Sequence, residues 1–434
     1  MTVDKDAEAF RTVAAEVFDF LFPLVLMDVT RRKATGSDDG KPGNAPLNRW
    51  SHFKDFVDPE FSKTVIRPSF DTLYSTAWID LRHGPVVIHK PRIERYHVIQ
   101  FLDMWTETFA TLGSRTTGNQ EEDFLLVGPS YDASYDDVDG LRVVLASTEM
   151  CWVIARIEAK DDPSDRELVN LLQDELKILP FGDNELFSKT CHRAIDEEPL
   201  KFINSLSGLE FFEYGLELMK KHSPHVSDQP MLFRAERHGF FPGLRDRIDH
   251  SLVEALDAVK AEGIMKLVAA LRNAPTDEHG WVMFTTSIGS FGTDYTQRAM
   301  IALAGVGANK PEDAVYPVLT RDAAGEVPNG EHVYELTFAP GETPPAGAFW
   351  SVTAYDAGGF LVGNSIDRYR LGSEDELEFN EDGSLTLLVG HEPQDPESNW
   401  LPVSAGSLGL TLRIYDPARE VLSGEWHAPA LRKR

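Results

Sequence analysis

The sequence predicts a mainly β protein with helical insertions: two antiparallel β-sandwich or jelly-roll-like domains joined by a helical segment. Three observations carry this expectation. Between residues 85 and 157 short apolar or alternating runs recur between turn residues with no helical pattern among them; helical periodicity takes over near Ser164; strand texture returns after Pro275. The divisions that follow are residues 1–47, an N-terminal helix and loop; 48–160, a first β domain; 161–275, a helical segment; and 276–434, a second β-sandwich domain.

At the start of the chain Phe10, Val13, Ala14, Val17 and Leu21 fall at helical spacing, which predicts a helix over residues 6–22 stopped near Pro23. Residues 33–47, rich in Gly, Pro and Asp, read as an exposed loop. The runs at 85–88, 96–102, 124–127, 141–146 and 152–157 supply the strands of the first β domain. Ser164 and Glu167 form a capping box that opens a helix over 165–179, closed by Pro180, and two further helical patterns cover 198–222 and 243–272. Strands follow at 281–285, 333–338, 349–355, 384–389 and 408–415, with Asp382-Gly383 as a tight hairpin turn.

Composition narrows the function classes. With 42 Lys+Arg against 70 Asp+Glu the formal charge is −28, so a nucleic acid would have to bind against the field of the protein. No stretch reaches the roughly 18 apolar residues of a membrane span. The apolar run Phe18–Leu26 is interrupted by Asp19 and Pro23 and preceded by Asp4, Asp6 and Glu8, unlike an export signal; the chain reads as cytoplasmic. Neither a dinucleotide fingerprint nor a phosphate loop is present and the 13 histidines form no ligand set, so no cofactor and no metal are expected. Cys151 and Cys191 read as buried thiols. The acidic stretch Asp132–Asp139 lacks the spacing of a calcium loop, and His222 and His225, flanking Ser223-Pro224, read as loop residues.

Two clusters crowd charged, polar and aromatic residues around strands. The first holds Arg67, Asp71, Tyr74, Tyr96, Asp103, Trp105 and Arg115; the second holds Asp294, Tyr295, Arg298, Trp350, Asn364, Arg368 and Asn399. Such residues suit a cleft for a polar ligand, combining an acid or base, an anion or hydroxyl clamp and stacking faces. They equally suit turns and domain contacts in which Arg forks pair with carboxylates.

Together the clusters resemble a bacterial family built from two paired domains of unknown function, numbered 1254 and 1214. The likeness rests on Leu24–Arg32, the Asp71-Thr72-Leu73-Tyr74 segment, the Gly84-Pro85 strand, Gly289–Arg298, Phe349–Asp356, Asn364–Tyr369 and Asn399-Trp400-Leu401-Pro402. This chain departs from the pattern at Ser69, where the family usually has Asn, and at Ser404. The resemblance implies two β-sandwich-like domains joined by helices and brings no activity.

The expected function is a cofactor-free hydrolase or lyase acting on a small polar or carbohydrate-like molecule in a cleft near the first β domain. In that reading Asp71 and Asp103 are the catalytic pair, dividing acid and base roles, and the other residues of the two clusters bind the ligand. The alternatives are a non-catalytic carbohydrate- or small-molecule-binding protein and a structural or assembly protein, with a homo-oligomer possible. The sharpest geometric expectation is that Arg67, Asp71, Tyr74, Asp103 and Arg115 converge on one cavity.

Overall fold

The computed structural model describes residues 2–37, 39–57, 66–131, 138, 140–182, 186 and 194–434; Cys191 and most of the acidic stretch 132–139 lie outside them. The chain opens with α1 (Thr2–Ala34) and continues through β1 (Ser51–His52), β2 (Thr72–Asp80), β3 (Val86–Lys90), β4 (His97–Asp103), β5 (Thr108–Gly113), β6 (Glu122–Val127), β7 (Arg142–Leu145) and β8 (Met150–Glu158). Next come α2 (Pro163–Glu175), β9 (Lys177–Pro180), α3 (Pro199–Ser205), α4 (Gly208–Leu218), α5 (Gln229–Arg237) and α6 (His250–Arg272). The last part holds β10 (Trp281–Val282), α7 (Tyr295–Gly305), β11 (Ala314–Val315), β12 (Val318–Leu319), β13 (Tyr334–Phe338), β14 (Trp350–Asp356) and β15 (Arg370–Gly372). It closes with β16 (Leu385–Gly390), β17 (Trp400–Pro402), β18 (Leu408–Tyr415), α8 (Arg419–Leu422) and β19 (Arg432–Lys433).

The molecule is β-rich, with nineteen strands and eight helices among the described residues, and each β region holds two sheets. In the first, the order β1-β2-β8-β4-β5 makes one sheet and β7-β6-β3-β9 the other. Ile79, Ile99, Phe101 and Val153 of the former and Ile88, Phe124, Leu126 and Ile178 of the latter bury themselves in one core. In the second region β10-β12-β18-β14-β15, with β11 also on β18, shares a core with β17-β16-β13-β19. Each region carries one parallel pair, β6–β7 and β16–β17, where the sequence predicts antiparallel pairing throughout.

Alternation along β8 explains how the first sheet is used. Cys151, Val153 and Ala155 enter the inter-sheet core, so Trp152, Ile154 and Arg156 must point to the opposite face. That face is covered in two ways. Trp78, Leu102 and Ile154 pack with the helices, while the Tyr74 and Arg156 end meets the second β region.

The helical layer is built around α1, against which α3, α4, α5, α6 and α7 all pack. Pro23 does not stop α1, contrary to the sequence expectation. Residues on every side of it, Phe20, Leu21, Phe22, Leu24, Val25 and Leu26, are buried, and a helix apolar all round is held by its surroundings despite one lost backbone bond. Close approach is possible because a Cβ on Gly263 of α6 would stand 2.4 Å from the Phe18 ring.

Other boundaries also move. The helix predicted over 165–179 ends at Glu175, and Lys177–Pro180 instead adds β9 to β3; pairing with a distant strand overrides the local periodicity. Its N-cap is Asp162, which accepts from the Ser164 and Asp165 amides, and not Ser164. The pattern over 198–222 divides into α3 and α4, because Ser207 and Glu210 form a capping box that restarts the helix. The first β region therefore extends past residue 160, and α7, within the expected second β domain, belongs to the helical layer. Among the described residues no helix is long and apolar enough to cross a membrane.

Candidate functional site

A cavity of about 460 Å³ opens where the outer face of the first sheet, the end of α7 and the second β region meet. Register fixes its floor: Tyr74 on β2 is paired with Arg156 on β8, Thr76 with Ile154 and Trp78 with Trp152. Thr411 and Arg413, two apart on β18, form the facing wall, and their neighbours Leu410, Leu412 and Ile414 enter the core behind it. The end of α7 and the turn after it, Ala304–Asn309, close a third side.

Three guanidiniums mark the cavity, each bonded to neutral acceptors. Arg156 donates from Nη1 to Gln100 Oε1 at 2.9 Å and Asn309 Oδ1 at 2.6 Å, and from Nη2 to Gly307 O at 2.7 Å. Arg413 donates to Thr353 Oγ1 at 2.7 Å and to Tyr355 OH at 2.6 Å, and also to the Arg67 and Pro68 carbonyls. Arg67 donates to Thr411 Oγ1 at 2.6 Å and lies over the Tyr355 ring. Among the described residues none of the three has a carboxylate at ion-pair distance, and Asp55, the one acidic residue of the lining, pairs with Arg166 at 3.1 Å.

The electrostatic consequence is visible at Arg67. Burial, reinforced by the like charge of Arg413, pulls its guanidinium below the ordinary range. Arg67 also holds φ at +51°, a left-handed backbone uncommon for a residue with a side chain. Its amide donates to Gly359 O at 2.7 Å, so the second β region fixes that conformation. Across the cavity Arg156 lies 5.2 Å over the Tyr74 ring, and desolvation pushes the Tyr316 phenol up to about 12. Electropositive, part apolar and half open to solvent, the space suits a small organic anion.

Of the residues expected to converge, Arg67 and Tyr74 line this cavity, whereas Asp71, Asp103 and Arg115 do not. The proposed carboxylate pair is not assembled. Asp71 stands level with Ala159, one residue beyond the Thr72–Glu158 pair, and Asp103 opposite Cys151, so the two carboxylates lie at opposite ends of β8, roughly 26 Å apart at the ordinary strand rise. Asp71 is a domain contact, accepting from Ser351 Oγ at 2.8 Å and Tyr415 OH at 3.1 Å. Asp103 is fully buried beneath the helical layer, accepting from the Trp105 and Glu107 amides, from Ser147 Oγ and, at 2.6 Å, from His225 Nε2.

The remaining candidates hold elements together. Arg115 pairs with Asp313 at 2.8 Å and Tyr96 donates to the Asp313 carbonyl at 2.7 Å, both between the β regions. Trp105 stacks on Phe20 and donates to Ser223 O. Asp294 caps α7, Tyr295 donates to Asp228 at 3.1 Å, and Arg298 pairs with Glu107 at 2.9 Å. Trp350 is a core ring, Asn364 folds its own turn back on Arg368, Arg368 donates to the Trp400 carbonyl, and Asn399 bonds the Glu378 and Thr386 carbonyls.

Arg156, Arg413, Thr411 and Tyr316 escape the sequence reading. The readable signal is a cation inside an otherwise apolar strand: Arg156 follows Trp152-Val153-Ile154-Ala155, and Arg413 interrupts Leu408–Tyr415. His225, read as a loop residue, does lie in a loop, where its imidazole is held between Asp103 and Asp228.

Comparison with known families bears on these two β regions. A model described as a protein of unknown function, DUF1254, matches residues 47–180, and a second, DUF1214, matches residues 313–419, in that order and over more than half of the chain. The chain belongs to this paired-domain family. The cavity lies between the two family segments, with Ala304–Asn309 contributed by the stretch that neither model covers. A structural-genomics crystal structure of a Vibrio parahaemolyticus protein matches with a TM-score of 0.73 at 18% identity, covering 98% of this chain and 100% of that one, and so shares its fold. A putative uncharacterized protein from Burkholderia cenocepacia aligns at a TM-score of 0.45 and 10% identity over 100% of this chain and 96% of that one. Among curated proteins nothing matches.

Proposed function

We propose that the protein is a small-molecule binding protein whose ligand, an organic anion, occupies the cavity between the two β domains. The observation that carries this reading is the set Arg67, Arg156 and Arg413, three guanidiniums around one cavity without a carboxylate partner among the described residues. Burying like charges around one cavity is unfavourable, as the effect of Arg413 on Arg67 shows, and an anion between them offsets that repulsion while gaining charge-assisted hydrogen bonds. The volume falls in the range of small-ligand sites, about 300–1,000 Å³. A hydrolase or lyase built on Asp71 and Asp103 finds no support, because a pair at opposite ends of a strand cannot flank one scissile bond. Neutral carbohydrate is a poorer fit than an anion for the same electrostatic reason. We also read each β domain as a two-sheet sandwich, supported by the core its sheets share.

Thermal melting tests the binding reading. Benzoate at millimolar concentration should raise the melting temperature of the protein, glucose should not, and Arg67→Gln or Arg156→Gln should abolish the benzoate response. A response to glucose that exceeds that to benzoate, or an equal benzoate response in both variants, contradicts it.

A further inference from the structure

The cavity is not uniformly charged, and its asymmetry defines the ligand more closely than its charge does. Along β8 the floor passes from Arg156 through Ile154 to Trp152, about 13 Å of strand in which a guanidinium gives way to an aliphatic chain and then to an indole stacked on Trp78. Val306 and Val318 extend the apolar part. Gly307, at φ +92°, brings its backbone so near that a Cβ there would stand 2.5 Å from Ile154 Cδ1, which narrows the space over the apolar floor. The turn that supplies Val306 and Gly307 follows directly from α7, an 11-residue helix whose C-terminal end carries the negative pole of its dipole.

Resting on the anion reading above, we infer that the ligand is an amphipathic monocarboxylate, with its carboxylate among Arg67, Arg156 and Arg413 and an apolar chain or single ring over Ile154 and Trp152. A compact dianion such as phosphate matches the guanidiniums but leaves the apolar floor uncovered. It would also set two charges, not one, against the carbonyl end of α7, with no helix N-terminus among the described lining residues to receive them. A carboxylate takes the Arg forks with a single charge, and its apolar remainder removes the floor from water.

Isothermal titration of the 434-residue chain with acetate, butyrate, hexanoate, octanoate and inorganic phosphate tests this. Affinity should rise roughly fourfold for each methylene added, the transfer value of a buried CH₂, until the chain outgrows the floor, and phosphate should bind more weakly than hexanoate. Ile154→Ser should flatten the dependence on chain length, and Arg67→Gln should weaken the whole series alike. Phosphate binding as tightly as hexanoate, or affinity independent of chain length in the unaltered protein, overturns the amphipathic carboxylate while leaving anion binding in place. If neither the carboxylates nor phosphate bind the folded protein, both readings fall.

Discussion

Arg370 Nε stands 3.3 Å from Asp71 Oδ1 in a buried ion pair that joins the two β domains. Asp71 sits just before β2, and Arg370 opens β15, so the pair spans the boundary between the two family segments. Ser351 and Tyr415 donate to the other carboxylate oxygen. Removing the carboxylate leaves Arg370 with Asp375 alone and strips an acceptor from both hydroxyls. Asp71→Ala should therefore lower stability by about 3–5 kcal/mol in urea unfolding. A loss below about 1 kcal/mol, the scale of a surface pair, would show that the contact does not hold the domains.

His225 gives a pH signature. Hydrogen bonds to Asp103 and Asp228 raise its imidazole from 6.5 to about 10, against the desolvation that opposes charge. A folded pKa above the unfolded one means a contribution present in full below pH 6.5 and lost as the pH rises from 6.5 to about 10. The stability gap between the unaltered protein and His225→Gln should thus be widest near pH 6 and shrink toward pH 10. A gap constant across that window contradicts a charged imidazole between the two aspartates.

Trp400 is 2% exposed, donates from Nε1 to Gly390 O at 2.8 Å and lies where β17 joins β16; Trp350 is 4% exposed in the core of the same domain. Each truncation to Ala should cost about 3–5 kcal/mol, read as a lower melting temperature. Unchanged melting in both would place the rings outside the core.

How much of this was legible follows from which interactions are local. The strands at 97–103, 150–158 and 408–415 could be read because their apolar runs stand between turns, and α6 because its periodicity agrees with its packing. Pro23 misleads because what holds α1 together is burial by α4, α6 and α7, which sequence spacing does not reveal. Lys177–Pro180 misleads because its partner, β3, lies about ninety residues earlier. The site was half legible. Arg67 and Tyr74 stand out by crowding, but Arg156 and Arg413 are single cations in apolar strands, and only strand register turns their faces toward one cavity. The same register separates Asp71 from Asp103, whose partners on β8 cannot be counted without the pairing.

On the reading proposed above, the cavity between the two domains holds an organic anion through Arg67, Arg156 and Arg413. A crystal soaked with 4-bromobenzoate tests it most directly, since anomalous scattering locates the bromine and the map locates the carboxylate. The bromine should lie over Ile154 and Trp152, with carboxylate oxygens within hydrogen-bonding distance of at least two of the three guanidiniums. Bromine peaks confined to the outer surface, with the guanidiniums making the same bonds as in the unsoaked protein, would contradict the account.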